Sequence, residues 1–486
     1  MVWDRLTTMT TADALAGFSE PTRTWFEAAF AAPTPAQSGA WSAISAGRNA
    51  LVVAPTGSGK TLSAFLWSVD RLMTTEPPKD RQHRCRVLYI SPLKALGVDV
   101  ERNLRAPLTG IRHTADRLGT PLPEITVGVR SGDTLAADRR RMQTKPPDIL
   151  ITTPESLFLM LTSQAREALR GVETVILDEV HAVAGSKRGA HLALTLERLD
   201  SLLEKPAQRV GLSATVRPLE EVARFLGGAA PVEIVAPPAE KRWDLSVVVP
   251  VEDMTAPGGF DDDEAESGRD GVGGDDARSR ASIWPHVESR VVDLIEQHTS
   301  TIVFANSRRL AERLTARFNE IATDRAQAAA EAAGPPVLDP DDADDDAEAD
   351  DERDGPPRRS PAEVMASSGA TEGAEVLIAK AHHGSVSKEQ RALIEDDLKR
   401  GRLPAVVATS SLELGIDMGA VDLVVQIESP PSVASALQRV GRAGHQVGEV
   451  SRGVLFPKHR GDLAQTAVAV KQMRVGGIEE IGRAHV

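Results

Sequence analysis

The run Leu51 to Thr61, LVVAPTGSGKT, places glycines, a lysine and hydroxyl residues directly after a short apolar stretch. That order suits a phosphate loop. Gly57 and Gly59, with Thr56 and Ser58 in the same loop, let backbone N–H groups face the β- and γ-phosphates, Lys60 supplies a point charge, and Thr61 can ligate Mg²⁺. The general pattern begins with Gly, whereas this chain has Ala54. A second run, TVILDEVH, ends an apolar stretch on Asp178, which can hold Mg²⁺, and Glu179, which can orient or deprotonate water. Asp-Glu after apolar residues is weak alone; beside the loop it points to hydrolysis of a nucleoside triphosphate. Lys380, His382 and His383 in KAHHG invite a metal reading, but adjacent residues of a strand point to opposite faces and no third ligand follows at metal spacing. Cys85, the single cysteine, cannot form an internal disulfide and reads as a small apolar residue before a strand.

These residues need strands to present them. Apolar runs ending in small or polar residues recur through the first half: ALVVAP, RVLYISP, ITVGVRSG, DILITTP, TVILDE and RVGLSAT. The second half repeats the pattern in STIVFANS, VLIAKAHHG, AVVATSS, DLVVQIES and GVLFP. Such runs, separated by amphipathic helical stretches, predict fully buried parallel strands. With 486 residues, two α/β domains follow, each a mostly parallel sheet flanked by helices with its ligands at the carboxyl ends of the strands. The expected boundaries are 1–240 for the first domain, 241–282 for an acidic linker and 283–480 for the second domain.

The formal net charge of −14 argues against a polyanionic partner until its distribution is read. Glu252 to Asp276 carries net −9 and Asp339 to Asp354 net −10, which leaves +5 for the rest of the chain. Both runs are poor in apolar residues, so we expect disordered segments near 255–280 and 328–371. They read as solvated loops, with an autoinhibitory mimic of nucleic acid as the alternative. The remainder is compatible with nucleic acid. No stretch approaches a bilayer crossing and the amino terminus lacks a signal-like apolar core, so the expectation is a cytoplasmic protein with no membrane partner.

The ordered set TPAQ (34–37), APTGSGKT (54–61), SPLKAL (91–96), TTPESL (152–157), DEVH (178–181), SAT (213–215), TIVFANSR (301–308), VVATSSLELGID (406–417) and QRVGRAG (438–444) resembles superfamily 2 helicases. More narrowly, GVRSGDT (128–134), AHHGSVSKEQR (381–391) and GRAGHQVG resemble the large helicase-related (Lhr) family of bacterial and archaeal ATP-dependent DNA helicases. The resemblance implies two tandem RecA-like domains with ATP and Mg²⁺ between them. It assigns Gln37 to adenine, against a surface glutamine as the other reading, and Asp417 to the ribose. Arg439 and Arg442, three apart on a predicted helix, would reach the γ-phosphate as arginine fingers. Many relatives have a further Arg where this chain has His445, which throws the role onto Arg442. His181, Ser213, Thr215 and Gln438 would couple the γ-phosphate to the nucleic-acid surface. Ser91, Lys94, Thr152, Thr153, Ser307, Arg308, Thr409 and Ser410, just past strand ends, would hold phosphates without reading sequence; for each, a helix cap or loop role stands beside that.

The implied activity is ATP-driven movement on single-stranded DNA, 3′ to 5′, with partial duplexes or DNA–RNA hybrids as further partners and DNA repair as the setting. An RNA-directed ATPase, a duplex translocase that does not unwind, and a non-catalytic binding scaffold remain as alternatives; oligomeric state is open. Lhr-type proteins continue beyond a helicase core, so we expect a carboxyl-terminally truncated fragment. One back-translation of Ile481 to Val486, IGRAHV, looks like a sequencing-adapter string ending in a stop codon, so we expect that tail to be non-native.

Overall fold

The computed structural model describes residues 11–55, 57–238, 242–254, 282–333, 376–413, 421–444 and 449–480. Seven parallel strands form the first sheet: β1 (Asn49–Val53), β2 (Val87–Ile90), β3 (Val127–Arg130), β4 (Ile149–Thr152), β5 (Thr174–Leu177), β6 (Gln208–Ser213) and β7 (Val232–Val235). Their spatial order is β3-β4-β2-β5-β6-β1-β7. Six more, β8 (Arg242–Val247), β9 (Thr301–Phe304), β10 (Ala379–His382), β11 (Ala405–Ala408), β12 (Leu423–Ile427) and β13 (Val450–Phe456), form the second in the order β10-β11-β9-β12-β13-β8. All described pairings are parallel, so helices must cover both faces.

Period-2 alternation explains why the strands read as unbroken apolar runs. In β1, Ala50 and Val52 join one core and Leu51 and Val53 the other. In β12, Val424 faces one core of the second domain while Leu423, Val425 and Ile427 face the other. Each sheet therefore anchors two cores, and its strand ends are rigid platforms for loops.

All eleven strands expected from the sequence are present. The two unexpected ones are sheet edges, and one moves a boundary. β8 pairs with β13 from Arg242↔Val450 to Val247↔Leu455, so it belongs to the second sheet. The second domain therefore begins by Arg242 rather than at 283, and the first acidic stretch is an insertion within it rather than an interdomain linker. Its partly buried alternation, every second residue facing out, is the mark of an edge strand and hid it among the polar residues. The Ala-rich helix Arg308–Ala333 also runs past the expected start of the second insert near 328. The acidic runs from 255 to 280 and beyond 333, and the tail 481–486, lie outside the described residues.

The candidate nucleotide cleft

Strand order brings the chemistry together. β1, β6 and β5 are neighbours, so the phosphate loop, Ser213 and Asp178 emerge side by side at one end of the first sheet. Ala54 N donates to Ser213 O (3.1 Å), and Lys60 Nζ donates to the Ala54 carbonyl (2.6 Å), which closes the loop on itself. Gly57 and Gly59 have φ of 80° and 76°, a region that disfavours side chains. Gly59 is needed twice over: a Cβ there would lie 2.5 Å from Gln37 Nε2.

Gln37 is buried, which excludes the surface reading. It sits in a capping box at the start of helix Pro35–Ser45: Thr34 N donates to its Oε1 (2.9 Å), and its Nε2 donates to Gly59 O (3.4 Å). One N–H and one lone pair of the amide are left over for a base. Thr34 Oγ1 also donates to Ser58 O (3.0 Å), so this helix and the phosphate loop move as one piece. Thr61 is half-buried in the first turn of helix Lys60–Thr74.

Asp178 is held from two sides. Tyr89 on the adjacent β2 donates its hydroxyl to Oδ2, and Glu179 N donates to Oδ1 (2.8 Å). Glu179 has φ of 47°, uncommon for a residue with a side chain, and its backbone is strained where it turns the chain after β5. Burial and the Glu179 charge push the Asp178 carboxyl up to about 6. Burial pushes the Lys60 ammonium below the ordinary lysine value; Glu179 and Asp178 counter this, and Arg442 adds to it. His181 Nδ1 accepts from Ala214 N (3.2 Å) and lies 3.3 Å from Ser213 Oγ, so the proton of the neutral ring sits on Nε2, which is buried without a partner among the described residues. Burial and Lys60 push His181 down to about 4.

The second domain faces this cleft with helix Val433–Val440, capped by Ser432 and by Glu479, whose carboxylate accepts from Val433 N (2.6 Å) and Ala434 N (3.2 Å). The helix ends one residue before Gly441, so Arg439 and Arg442 do not share a helical face as their spacing implied. Arg439 turns into its own domain: it donates to Glu413 Oε2 (2.9 Å), Gln426 Oε1 (2.9 Å) and Asn306 Oδ1 (3.1 Å), and covers the Phe304 ring at 5.2 Å. These bonds tie Arg439 to β12 and to the segments that follow β9 and β11, all within its own domain. Arg442, in the following turn, donates to Glu413 O (2.8 Å), and its charge is felt by Lys60. Gln438 and Thr215 line a void of about 50 Å³ between the domains, with Trp243 of β8 and Pro55 of the phosphate loop. Sequence reading missed Tyr89, Glu413, Asn306 and Gln426; Tyr89, the chain's single tyrosine, could have been flagged.

The expected phosphate-holding residues divide. Ser91, Thr152 and Thr153 are buried with their hydroxyls engaged locally: Ser91 with Leu93, Thr152 with Arg130 O (2.8 Å), Thr153 as a helix cap. Ser91 N is spent as well, donating to Thr152 O (2.9 Å). Ser307, Arg308 and Ser410 are exposed and Thr409 is half-buried. Lys94 opens helix Lys94–Arg117. Thr56, Asp417 and His445 lie outside the described residues. At the β3 and β10 edges, away from the phosphate loop, a groove of about 430 Å³ runs between the domains, its charged lining Asp99, Arg102, Asp133 and Asp138 on one side and Lys388, Arg391 and Glu395 on the other.

His382 and His383 use their rings for different partners, Ser411 and Glu395 for the first and Glu312 for the second. Burial pushes the Cys85 thiol up to about 12, in keeping with a core residue. No described helix is long and apolar enough to cross a membrane.

The DEAD/DEAH box helicase family matches residues 34–223, and the helicase conserved C-terminal domain matches 365–446. The Lhr helicase/probable uracil glycosylase of Mycolicibacterium smegmatis is 62% identical over 97% of this chain, which spans 28% of that protein. The ATP-dependent helicase Lhr-Core of Sulfolobus acidocaldarius is 39% identical over 94% of this chain, which spans 45% of it. A solved structure of Mycobacterium smegmatis helicase Lhr bound to ssDNA and AMP-PNP superimposes with a TM-score of 0.77 at 60% identity, covering 96% of this chain and 51% of that one. The chain thus spans about half or less of the length of these relatives.

Proposed function

The chain belongs to the Lhr family of superfamily 2 helicases, and from that premise we propose that it is an ATP-driven motor that steps 3′ to 5′ along single-stranded DNA, in the service of DNA repair. The observation that carries the reading is the cleft: Arg442 of one domain acts on Lys60 of the other, beside Asp178 and Glu179. Half a catalytic site on each domain makes hydrolysis depend on closure.

In this reading Lys60, the loop N–H groups and Arg442 bind the triphosphate, and Gln37 offers its remaining donor and acceptor to the base. Glu179 orients the attacking water, and Arg442 stabilises charge that grows on the transferred phosphoryl group. Thr61 and Asp178 fit Mg²⁺, being oxygen donors of which the carboxylate is already fixed by Tyr89 and Glu179 N. The ion, when bound, would neutralise phosphate charge. Nucleic-acid phosphates would run along the other strand ends, Ser307, Arg308, Thr409 and Ser410 among them, and through the second groove.

The test is steady-state ATPase of the chain with and without single-stranded DNA or RNA, for wild type and Glu179→Gln. We expect DNA to stimulate the wild type and Glu179→Gln to lose turnover by at least about a hundredfold while still binding ATP. Stimulation by RNA alone would replace the DNA motor with an RNA-directed ATPase. No stimulation by either would sink the motor.

A further inference from the structure

The hydrogen bonds around His382 tie its ring to two elements. The Ser411 hydroxyl has a single proton, and Ser411 Oγ lies 2.8 Å from the His382 carbonyl, which can only accept. His382 Nδ1, 2.9 Å from the same Oγ, must then donate. On the other side of the ring, Nε2 lies 3.1 Å from Glu395 Oε1. The ring is fully buried between these partners. Its neighbour points elsewhere: His383 Nδ1 accepts from Ser385 N (3.3 Å) and Nε2 reaches Glu312 (2.5 Å).

The two ends of this bridge carry the argument. Glu395 lines the groove between the domains, on helix Lys388–Lys399. Ser411 sits in the one-turn helix Ser410–Leu412, and the next residue is Glu413. Glu413 takes Arg439 on its carboxylate and Arg442 on its carbonyl, and its charge reaches His181 across the cleft. Nearby, Lys380 pairs with Asp397 (3.1 Å) and Arg308 donates to Ser385 (2.8 Å).

We propose that Glu395, His382 and Ser411 form a positioning relay that ties the groove to the loop carrying Glu413, and so sets Arg442 according to what the groove holds. A strand that shifts helix Lys388–Lys399 pulls on the Glu395–His382 hydrogen bond, and the pull ends on the carbonyl that holds the arginine. The proposal rests on the motor reading, because it concerns the link between strand binding and hydrolysis.

Glu395→Gln keeps an acceptor but removes the charge, and Ser411→Ala cuts the other end; both residues lie outside the phosphate-binding set. In the full 486-residue chain each is expected to lower the stimulation of ATPase by single-stranded DNA about tenfold, with the unstimulated rate within twofold of wild type; strand affinity should hold in Ser411→Ala and hold or tighten in Glu395→Gln, which takes a carboxylate out of the groove. Glu312→Gln, which cuts the neighbouring pair, should leave stimulation unchanged. In ¹⁵N-histidine spectra the resonances lost in His382→Gln should also shift in Glu395→Gln and in Ser411→Ala. Resonances that neither variant moves overturn the bridge. Equal loss of stimulated and unstimulated rates, or an equal effect of Glu312→Gln, overturns the relay in favour of a structural role. A wild type that no strand stimulates overturns the motor reading and the coupling together, while the histidine spectra still judge the bridge.

Discussion

The two halves of the cleft manage charge in opposite ways. On the first domain, Lys60, Asp178, Glu179 and His181 crowd one strand end, with an acid pushed up to about 6 and a histidine pushed down to about 4. On the second, Arg439 meets a carboxylate, two amide oxygens and an aromatic face, and Glu413 ties it to Arg442. The first half is a set of charges at odds with one another, which a triphosphate and a cation would reconcile. The second is a finished scaffold that delivers one guanidinium. Local disagreement marks where a ligand acts, and local satisfaction marks what holds the acting group still.

Breaking the delivered group should give the largest effect. Arg442→Ala is expected to lower ATP turnover by about a thousandfold or more, the range of arginine fingers, while affinity for a fluorescent ATP analogue changes far less. If turnover falls less than tenfold, the second half does not deliver a catalytic charge and the contrast fails. Arg439→Met tests the scaffold instead. It leaves the partly buried Glu413 carboxylate without its partner, so the expected cost is about 1–3 kcal/mol of stability, read as a lower melting temperature of the second domain. Lost turnover with unchanged melting would make Arg439 a finger after all.

The first half can be sharpened by pH. Asp178 has a folded value of about 6 against an ordinary 3.8, so the folded state binds the extra proton between them; its stabilising contribution is present at low pH and lost as pH rises through 6. His181, at about 4 against 6.5, runs the other way: its contribution is present above 6.5 and lost as pH falls through 4. Each amounts to about 3 kcal/mol, and between pH 4 and 6 they oppose. Urea unfolding across that window should show Asp178→Asn gaining stability with rising pH relative to wild type, and His181→Gln losing it. Variants with parallel slopes would mean that the two groups do not titrate as the cleft implies.

The same contrast explains what the sequence could and could not disclose. Strands buried on both faces must be apolar throughout, so the central strands were legible; of the four edge strands, β3 and β10 were read from the motifs that follow them, whereas β7 and β8, with polar residues and no such motif, were not. Missing β8 misplaced the domain boundary. Phosphate chemistry compresses into contiguous motifs because one loop must wrap one group, which is why Lys60 and Asp178 could be read directly. Scaffolding does not compress: Arg439 finds Asn306 at a sequence distance of 133 and Gln426 at 13, pairings that only sheet order creates. Spacing even misled, since three residues mean a shared face only while the helix lasts, and Gly441 ends it.

Tyr89 is where the two styles meet, and it offers the smallest test. It lies in the first half but acts as the second half's residues do, fixing a neighbour rather than meeting a ligand: its ring packs on Phe65 with centroids 5.3 Å apart, and its hydroxyl is spent on Asp178. Because β2 pairs with β5, the strand that ends in Asp178, the phenol cannot move without the sheet. Tyr89→Phe keeps the packing and removes only the donor. Asp178 then loses a bond that favours its ionised form and fixes its orientation, so the Mg²⁺ concentration needed to support binding of a fluorescent ATP analogue should rise about tenfold. Melting temperature should hardly change, since the ring stays in place. A Mg²⁺ requirement that stays put would show that Glu179 N and the cleft alone orient Asp178, and the first half would then contain no scaffold of its own.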